Sequence, residues 1–271
     1  MPTIGANGID LYYETRGEGE PLLLHPGFGC TVEVYWANTP ELARHFRVVV
    51  FDPRGAGRSS TGDGTATPKT YADDAVAVLD AEGIASAYVF GTSFGGMMAQ
   101  HIALEHPRRV RRLVLGCTTA GGPQHVLPPV ENLLKFHAAS EIADPVAAVR
   151  STYALNYSDA YAAAHDAEIV ERSLANAKLR STPEGRATQI AAVQAHDTHA
   201  RLREIACPTF IAHGTDDGTV PVENGRVLAA GIPGARFKLY PGGRHLFFME
   251  CADALNADIV AFLRGEPVAA K

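Results

Sequence analysis

Apolar positions along this chain come in short unbroken runs separated by longer amphipathic stretches. Leu22-Leu23-Leu24, Arg47-Val48-Val49-Val50-Phe51, Ala87–Phe90, Leu113–Cys117, Thr209–Ala212 and Phe237–Tyr240 are runs of the first kind. Apolar at successive positions, they predict strands covered on both faces. The stretches Val34–His45, Tyr71–Glu82, Met97–Glu105, Val222–Ala229 and Ala254–Leu263 read as helices, the second with Ala75, Val78 and Leu79 on one face. Pro40 predicts a break or a first turn within Val34–His45. Near the start, Asn7-Gly8 between β-prone flanks predicts a hairpin into a loosely alternating strand, Ile9–Thr15, and Gly17–Pro21 a turn. Strand and helix alternate with short connections, the pattern of an α/β protein with a mostly parallel central sheet flanked by helices.

That rhythm is interrupted once, after Gly121-Gly122-Pro123. From about Val130 to Leu202 the chain is rich in Ala, His and Tyr, with helical spacing and no strand pattern. Ala147–Tyr153, Ala160–Ala175 and Ala187–His196 are expected to be separate helices. The expected organisation is one core domain, residues 1–120 and 204–271, with a helical cap over 121–203 inserted into it.

Composition narrows the function classes. The 271 residues are 46% hydrophobic and 20% charged, enough for a substantial core, and 24 basic against 30 acidic residues give a net charge of −6. Without a basic block, neither nucleic acid nor a polybasic membrane anchor is expected. No stretch reaches the eighteen or so apolar residues of a spanning helix, and Met1–Thr15 has no charged leader before an apolar run. The four cysteines, Cys30, Cys117, Cys207 and Cys251, are far apart, so they read as reduced thiols of a cytoplasmic protein.

Candidate chemistry is concentrated at the ends of three predicted strands. Ala87–Phe90 runs into Gly91-Thr92-Ser93-Phe94-Gly95 and then a helix, the setting of a nucleophile elbow. Ser93 is expected to be strained there, with Gly91 and Gly95 lacking a Cβ because strand and helix cross closely. The helix N-terminus behind it offers N–H groups and partial positive charge where an oxyanion would form. Gly-x-Ser-x-Gly alone is a weak signal. However, the strand Thr209–Ala212 is followed by His213-Gly214-Thr215-Asp216-Asp217, and Phe237–Tyr240 by Gly242-Gly243-Arg244-His245. A serine, an acid and a histidine thus share the carboxyl edge of the sheet, where α/β sites form.

The order Ser, acid, His and several spaced motifs together resemble the α/β-hydrolase superfamily over almost the whole chain. The carrying residues are His25-Pro26-Gly27-Phe28-Gly29, Asp52-Pro53-Arg54-Gly55-Ala56-Gly57-Arg58-Ser59, the elbow, Gly214–Pro221 and Gly243–His245. The resemblance implies Ser93 as nucleophile, His245 as base and Asp217 as its partner, with the Phe28 and Phe94 N–H groups as the oxyanion hole. It favours Asp217 over Asp216, because Asp217 lies three residues after Gly214 and four before Pro221. The family's His-Gly before the oxyanion residue is replaced by Pro26-Gly27, with His25 one place earlier. Trp36, Met98 and Leu246 are candidate pocket residues, with core packing as the alternative.

The elbow continuation and the cap look most like 3-oxoadipate enol-lactonase-type hydrolases. A small or medium ester or lactone, cleaved through an acyl-enzyme without cofactor or metal, is therefore expected. Cofactor-free haloperoxidase-type perhydrolases, carbon–carbon bond hydrolases and low-turnover ligand-binding proteins share these parts, and the sequence leaves room for a homo-oligomer. Of the remaining residues, His196-Asp197-Thr198-His199 lacks a third ligand and reads as a solvated face. His101 and His213 read as packing residues, Cys30 as pocket wall or core, and Gly55-Ala56-Gly57 as a turn without the Lys-Ser/Thr of a phosphate loop.

Overall fold

The computed structural model describes residues 2–177, 179 and 181–268. Eight strands form one sheet: β1 (Thr3–Ala6), β2 (Ile9–Arg16), β3 (Pro21–His25), β4 (Arg47–Phe51), β5 (Ala87–Thr92), β6 (Val110–Gly116), β7 (Thr209–Gly214) and β8 (Arg236–Tyr240). Their spatial order is β1-β2-β4-β3-β5-β6-β7-β8. All pairs from β4 to β8 are parallel, and the hairpin β1–β2 adds an antiparallel edge. That hairpin turns at Asn7 (φ 50°) and Gly8 (φ 77°), the left-handed pair an Asn-Gly turn requires.

Both faces of the sheet are covered, which is why its strands are apolar throughout. Leu23, Val49, Val89 and Leu113 pack on one side against α2 (Pro68–Ala81), α3 (Phe94–Glu105) and α9 (Val222–Gly231). Leu22, Leu24, Val48, Val50, Phe90 and Val114 pack on the other against α11 (Ala252–Arg264), the short α10 (Phe247–Glu250) and α1 (Thr39–Leu42).

The expected helix over Val34–His45 is two pieces, a 3-10 turn at Val32–Tyr35 and then α1. Pro40 sits in the first turn of α1, where its missing N–H costs nothing, so the break precedes it. The helix expected from Tyr71 begins at Pro68, because Thr67 and Thr70 form a reciprocal cap.

Between β6 and β7 lie α4 (Val130–Ser140), α5 (Pro145–Ser151), α6 (Tyr153–Asn156), α7 (Asp159–Ala177) and α8 (Pro183–Ala195). The chain leaves the core at Gly121 and returns at Asp197, and these two residues pair in an isolated bridge. Thr198 N–H donates to Ala120 O at 2.8 Å beside it. Among the described residues no helix is long and apolar enough to cross a membrane.

Candidate active site

The strand order turns at β3, whose neighbours are β4 and β5. His25 at the end of β3 is level with Gly91 near the end of β5, so the turns after these strands stand side by side. Ser93, after β5, has φ 53° and ψ −122°, a conformation that L-residues avoid. Its surroundings over-determine it. Ser93 N–H donates to Gly116 O at 2.9 Å, and Ser93 O accepts from Thr118 Oγ1 at 2.7 Å and Met97 N at 3.1 Å. A Cβ on Gly91 would lie 2.2 Å from Gly95 O, and one on Gly95 would lie 1.9 Å from His25 O. Both glycines are therefore steric requirements of the crossing.

Loops after β7 and β8 bring Asp217 and His245 to Ser93. His245 Nε2 is 3.1 Å from Ser93 Oγ, and Nδ1 is 2.9 and 3.1 Å from the two Asp217 oxygens. Asp216 is exposed, its carboxylate accepting from Thr215 Oγ1 on its own loop and its N–H donating to Gly243 O at 3.0 Å, whereas Asp217 is buried. Burial by itself pushes the Asp217 carboxyl up. The charge on His245 and the hydrogen bonds from His213 and His245 outweigh that and hold it well below the usual carboxylate range. Thr219 and Val220 N–H groups both donate to Oδ1 at 2.8 Å. An ionised Asp217 fixes the proton on His245 Nδ1 and leaves Nε2 as an acceptor facing the hydroxyl.

His213 stands closer to this chemistry than its packing role in the sequence suggests. It is wholly buried, its Nε2 donates to Val220 O at 2.8 Å and lies 3.5 Å from Asp217 Oδ2. It therefore braces the acid loop from below. The His245 loop is braced from outside the core: His245 N–H donates to Leu155 O at 3.3 Å and Leu246 N–H to Asn156 O at 2.9 Å. Arg244 adds a bond of 2.6 Å to Tyr157 O.

Phe28 and Gly29 are the central residues of a turn closed by Cys30 N–H donating to Gly27 O at 3.1 Å, with Gly29 at φ 64°. A Cβ on Gly27 would come 3.6 Å from Ser93 Cβ, which places this turn against the serine. His25 does organise it. The ring is fully buried, and Nδ1 donates to Pro26 O at 3.0 Å. Phe94 starts α3, so its N–H is among those the helix leaves without an internal acceptor.

Other residues singled out from sequence fall around these. Met98 is wholly buried in a cluster with Tyr71, Phe94 and Ala192. Trp36 is half-buried, with Arg172 over its ring at 4.6 Å in a surface groove of about 270 Å³. Leu246 is half-buried against the core face formed with Phe247 and Tyr157. Cys117 (φ 41°), Asp217 and His245 bring three metal-capable atoms within 4.8 Å of one another. The acid and the imidazole are already bonded to each other, and burial pushes the thiol far up, so the set reads as a thiol packed against a hydrogen-bonded pair. His101 and His196 are buried and bonded to each other at 3.1 Å, which replaces the solvated face expected for His196.

The alpha/beta hydrolase fold model matches residues 20–252. A curated relative from Azorhizobium caulinodans, named "Putative carbamate hydrolase RutD", is 31% identical, with 97% of this chain and 98% of the relative aligned. A non-heme haloperoxidase from Rhodococcus erythropolis is 30% identical over 97% of this chain and 99% of its own. The crystal structure of the enol-lactonase from Burkholderia xenovorans LB400 superposes with a TM-score of 0.84 at 25% identity, covering 97% of this chain and all of that one.

Proposed function

The chain belongs to the α/β-hydrolase fold family, and we propose that it is a serine hydrolase of small or medium carboxylic esters or lactones. The observation that carries this reading is the continuous hydrogen-bonded relay from Ser93 Oγ through His245 to buried, ionised Asp217. A serine hydroxyl is a poor nucleophile until a base takes its proton. His245 Nε2 accepts that proton as Oγ attacks the acyl carbon, and Asp217 stabilises the resulting imidazolium. The tetrahedral oxyanion is held by the N–H groups of Phe28 and Phe94, each such donor lowering the barrier by about 3 kcal/mol. Collapse breaks the acyl C–O bond, the leaving oxygen takes the proton from His245, and water, deprotonated by the same imidazole, releases the acid. Residues 121–203 form the cap that walls this site and selects the acyl group. Four free thiols support a cytoplasmic setting.

Purified protein should hydrolyse p-nitrophenyl butyrate. Ser93→Ala should lose at least about a thousandfold in kcat, and Asp217→Asn about as much through the wrong imidazole tautomer. Equal slow rates for wild type and Ser93→Ala would leave a ligand-binding protein of the same fold as the better reading. The haloperoxidase relative supports a second outcome, in which hydrogen peroxide replaces water on the acyl-enzyme and a peracid is released. The RutD relative supports a carbamoyl group as the acyl part. Peracid formation and carbamate turnover, measured beside ester hydrolysis, separate these.

A further inference from the structure

Gln189, on the inner side of α8, is wholly buried, and nothing in its Ala-rich surroundings distinguishes it in the sequence. Its side chain spans two backbone groups of the core. Oε1 accepts from Gly29 N–H at 2.8 Å, and Nε2 donates to Arg54 O at 3.1 Å. The two partners assign the amide orientation, because a flip would set N–H against N–H and oxygen against oxygen.

The two ends of this bridge differ in rigidity. Arg54 is pinned by a buried pair with Asp74 at 2.8 and 2.9 Å. Gly29, at φ 64°, lies in a short turn whose own closure is a single bond, and it directly follows Phe28. A turn of this kind rotates its peptide planes easily unless an outer acceptor holds them.

We infer that Gln189 is a positioning residue that fixes the Phe28–Gly29 turn so that the Phe28 N–H stays aimed at the oxyanion. This assignment rests on the hydrolytic reading of Ser93. The bridge ties α8 to the oxyanion turn as well as to the core. α8 has other ties that survive loss of this side chain. The backbones of Gly185 and Gly55 are in direct contact, a Cβ on either being excluded, and Thr188 Oγ1 reaches Gly64 O at 3.4 Å. A substitution at 189 therefore acts on the turn while the helix stays seated.

The test uses the full chain with Gln189→Met, which keeps length and loses both bonds, and Gln189→Glu, which keeps an acceptor for Gly29 N–H. Gln189→Met should lower kcat on p-nitrophenyl butyrate ten- to a hundredfold with KM within about threefold, somewhat less than deleting an oxyanion donor outright. Gln189→Glu should recover part of that loss. Amide exchange at Gly29, followed by NMR, should be at least tenfold faster in Gln189→Met than in wild type. A kcat within twofold of wild type, an unchanged Gly29 exchange rate, or a KM rising in step with the kcat loss would each overturn the assignment. If Gln189→Met does not fold, Gln189→Ala, which also loses both bonds, carries the same readouts, and an unchanged kcat and Gly29 exchange rate in it would overturn the assignment. If Ser93→Ala equals wild type in rate, the hydrolytic reading fails, whereas Gly29 exchange still judges the bridge.

Discussion

Helices α4 and α8 belong to the same excursion between β6 and β7, yet they are held by opposite means. In α4 the apolar residues face out: Val130 is 68% exposed and Leu134 61%, with Leu127 just before it at 69%. Only Ala139 is buried, and one side-chain bond, Asn132 Nδ2 to Gly218 O at 2.9 Å, ties its first turn to the acid loop. In α8 the buried residues are Gly185, Thr188, Gln189 and Ala192, small or polar, while the apolar Ile190 is exposed. A hydrophobic stripe therefore does not identify the helix that is fixed to the core. Backbone approach at glycine and buried hydrogen bonds from polar side chains do that here.

Acid should separate the two helices most strongly. The end of α8 is joined to the core by His196, which bonds His101 and Thr119 O, whereas the histidine of α4, His137, is exposed. Burial lowers His101 and His196 to about 4, with repulsion between the two rings adding to the shift at His101, and burial does the same to His25. A histidine whose folded pKa is below its unfolded value leaves the unfolded chain with the extra proton between those values. Stability is therefore lost as pH falls from about 6.5 to about 4, by up to about 8 kcal/mol for the three together. Asp217, depressed instead, gives its contribution up only at lower pH. Urea unfolding at pH 7, 5.5 and 4 measures this, and a flat profile would remove buried neutral histidines from the account of α8.

Gly185→Val should have the next largest effect. A Cβ there would meet Gly55 O at 2.2 Å, and no rotamer relieves a clash with backbone. Lifting α8 should cost about 3 kcal/mol, or roughly 5 °C in Tm, and take activity down at least tenfold by withdrawing Gln189 from its turn. Calorimetry and ester hydrolysis on the same preparation check both. The smallest effect is expected on the other helix. Leu133→Ser with Leu134→Gln should change stability by less than about 0.5 kcal/mol, since both side chains already face solvent. A loss as large as that of Gly185→Val would mean that α4 is as firmly packed as α8.

The same contrast marks where the sequence is informative. Elbow, acid loop and histidine loop are short motifs whose residues act on their immediate neighbours, so Ser93, Asp217 and His245 were legible, as was the sheet carrying them. Pro40 announced its break. Gln189, Leu155 and His213 were not legible, because their partners lie at distant points that only the tertiary fold brings near. α4 lay inside the helical stretch expected from Val130 but was not delimited as a helix of its own, because its apolar positions have no covering surface to mark its ends.

Direct observation of the acyl-enzyme tests the central claim that Ser93 is the nucleophile. Wild-type protein mixed with p-nitrophenyl butyrate and quenched in acid within one turnover should gain the mass of one butyryl group, and peptide mapping should place it on Ser93. Ser93→Ala should gain none. An acyl group found on another residue, or turnover by wild type with no covalent species at any quench time, would contradict the account.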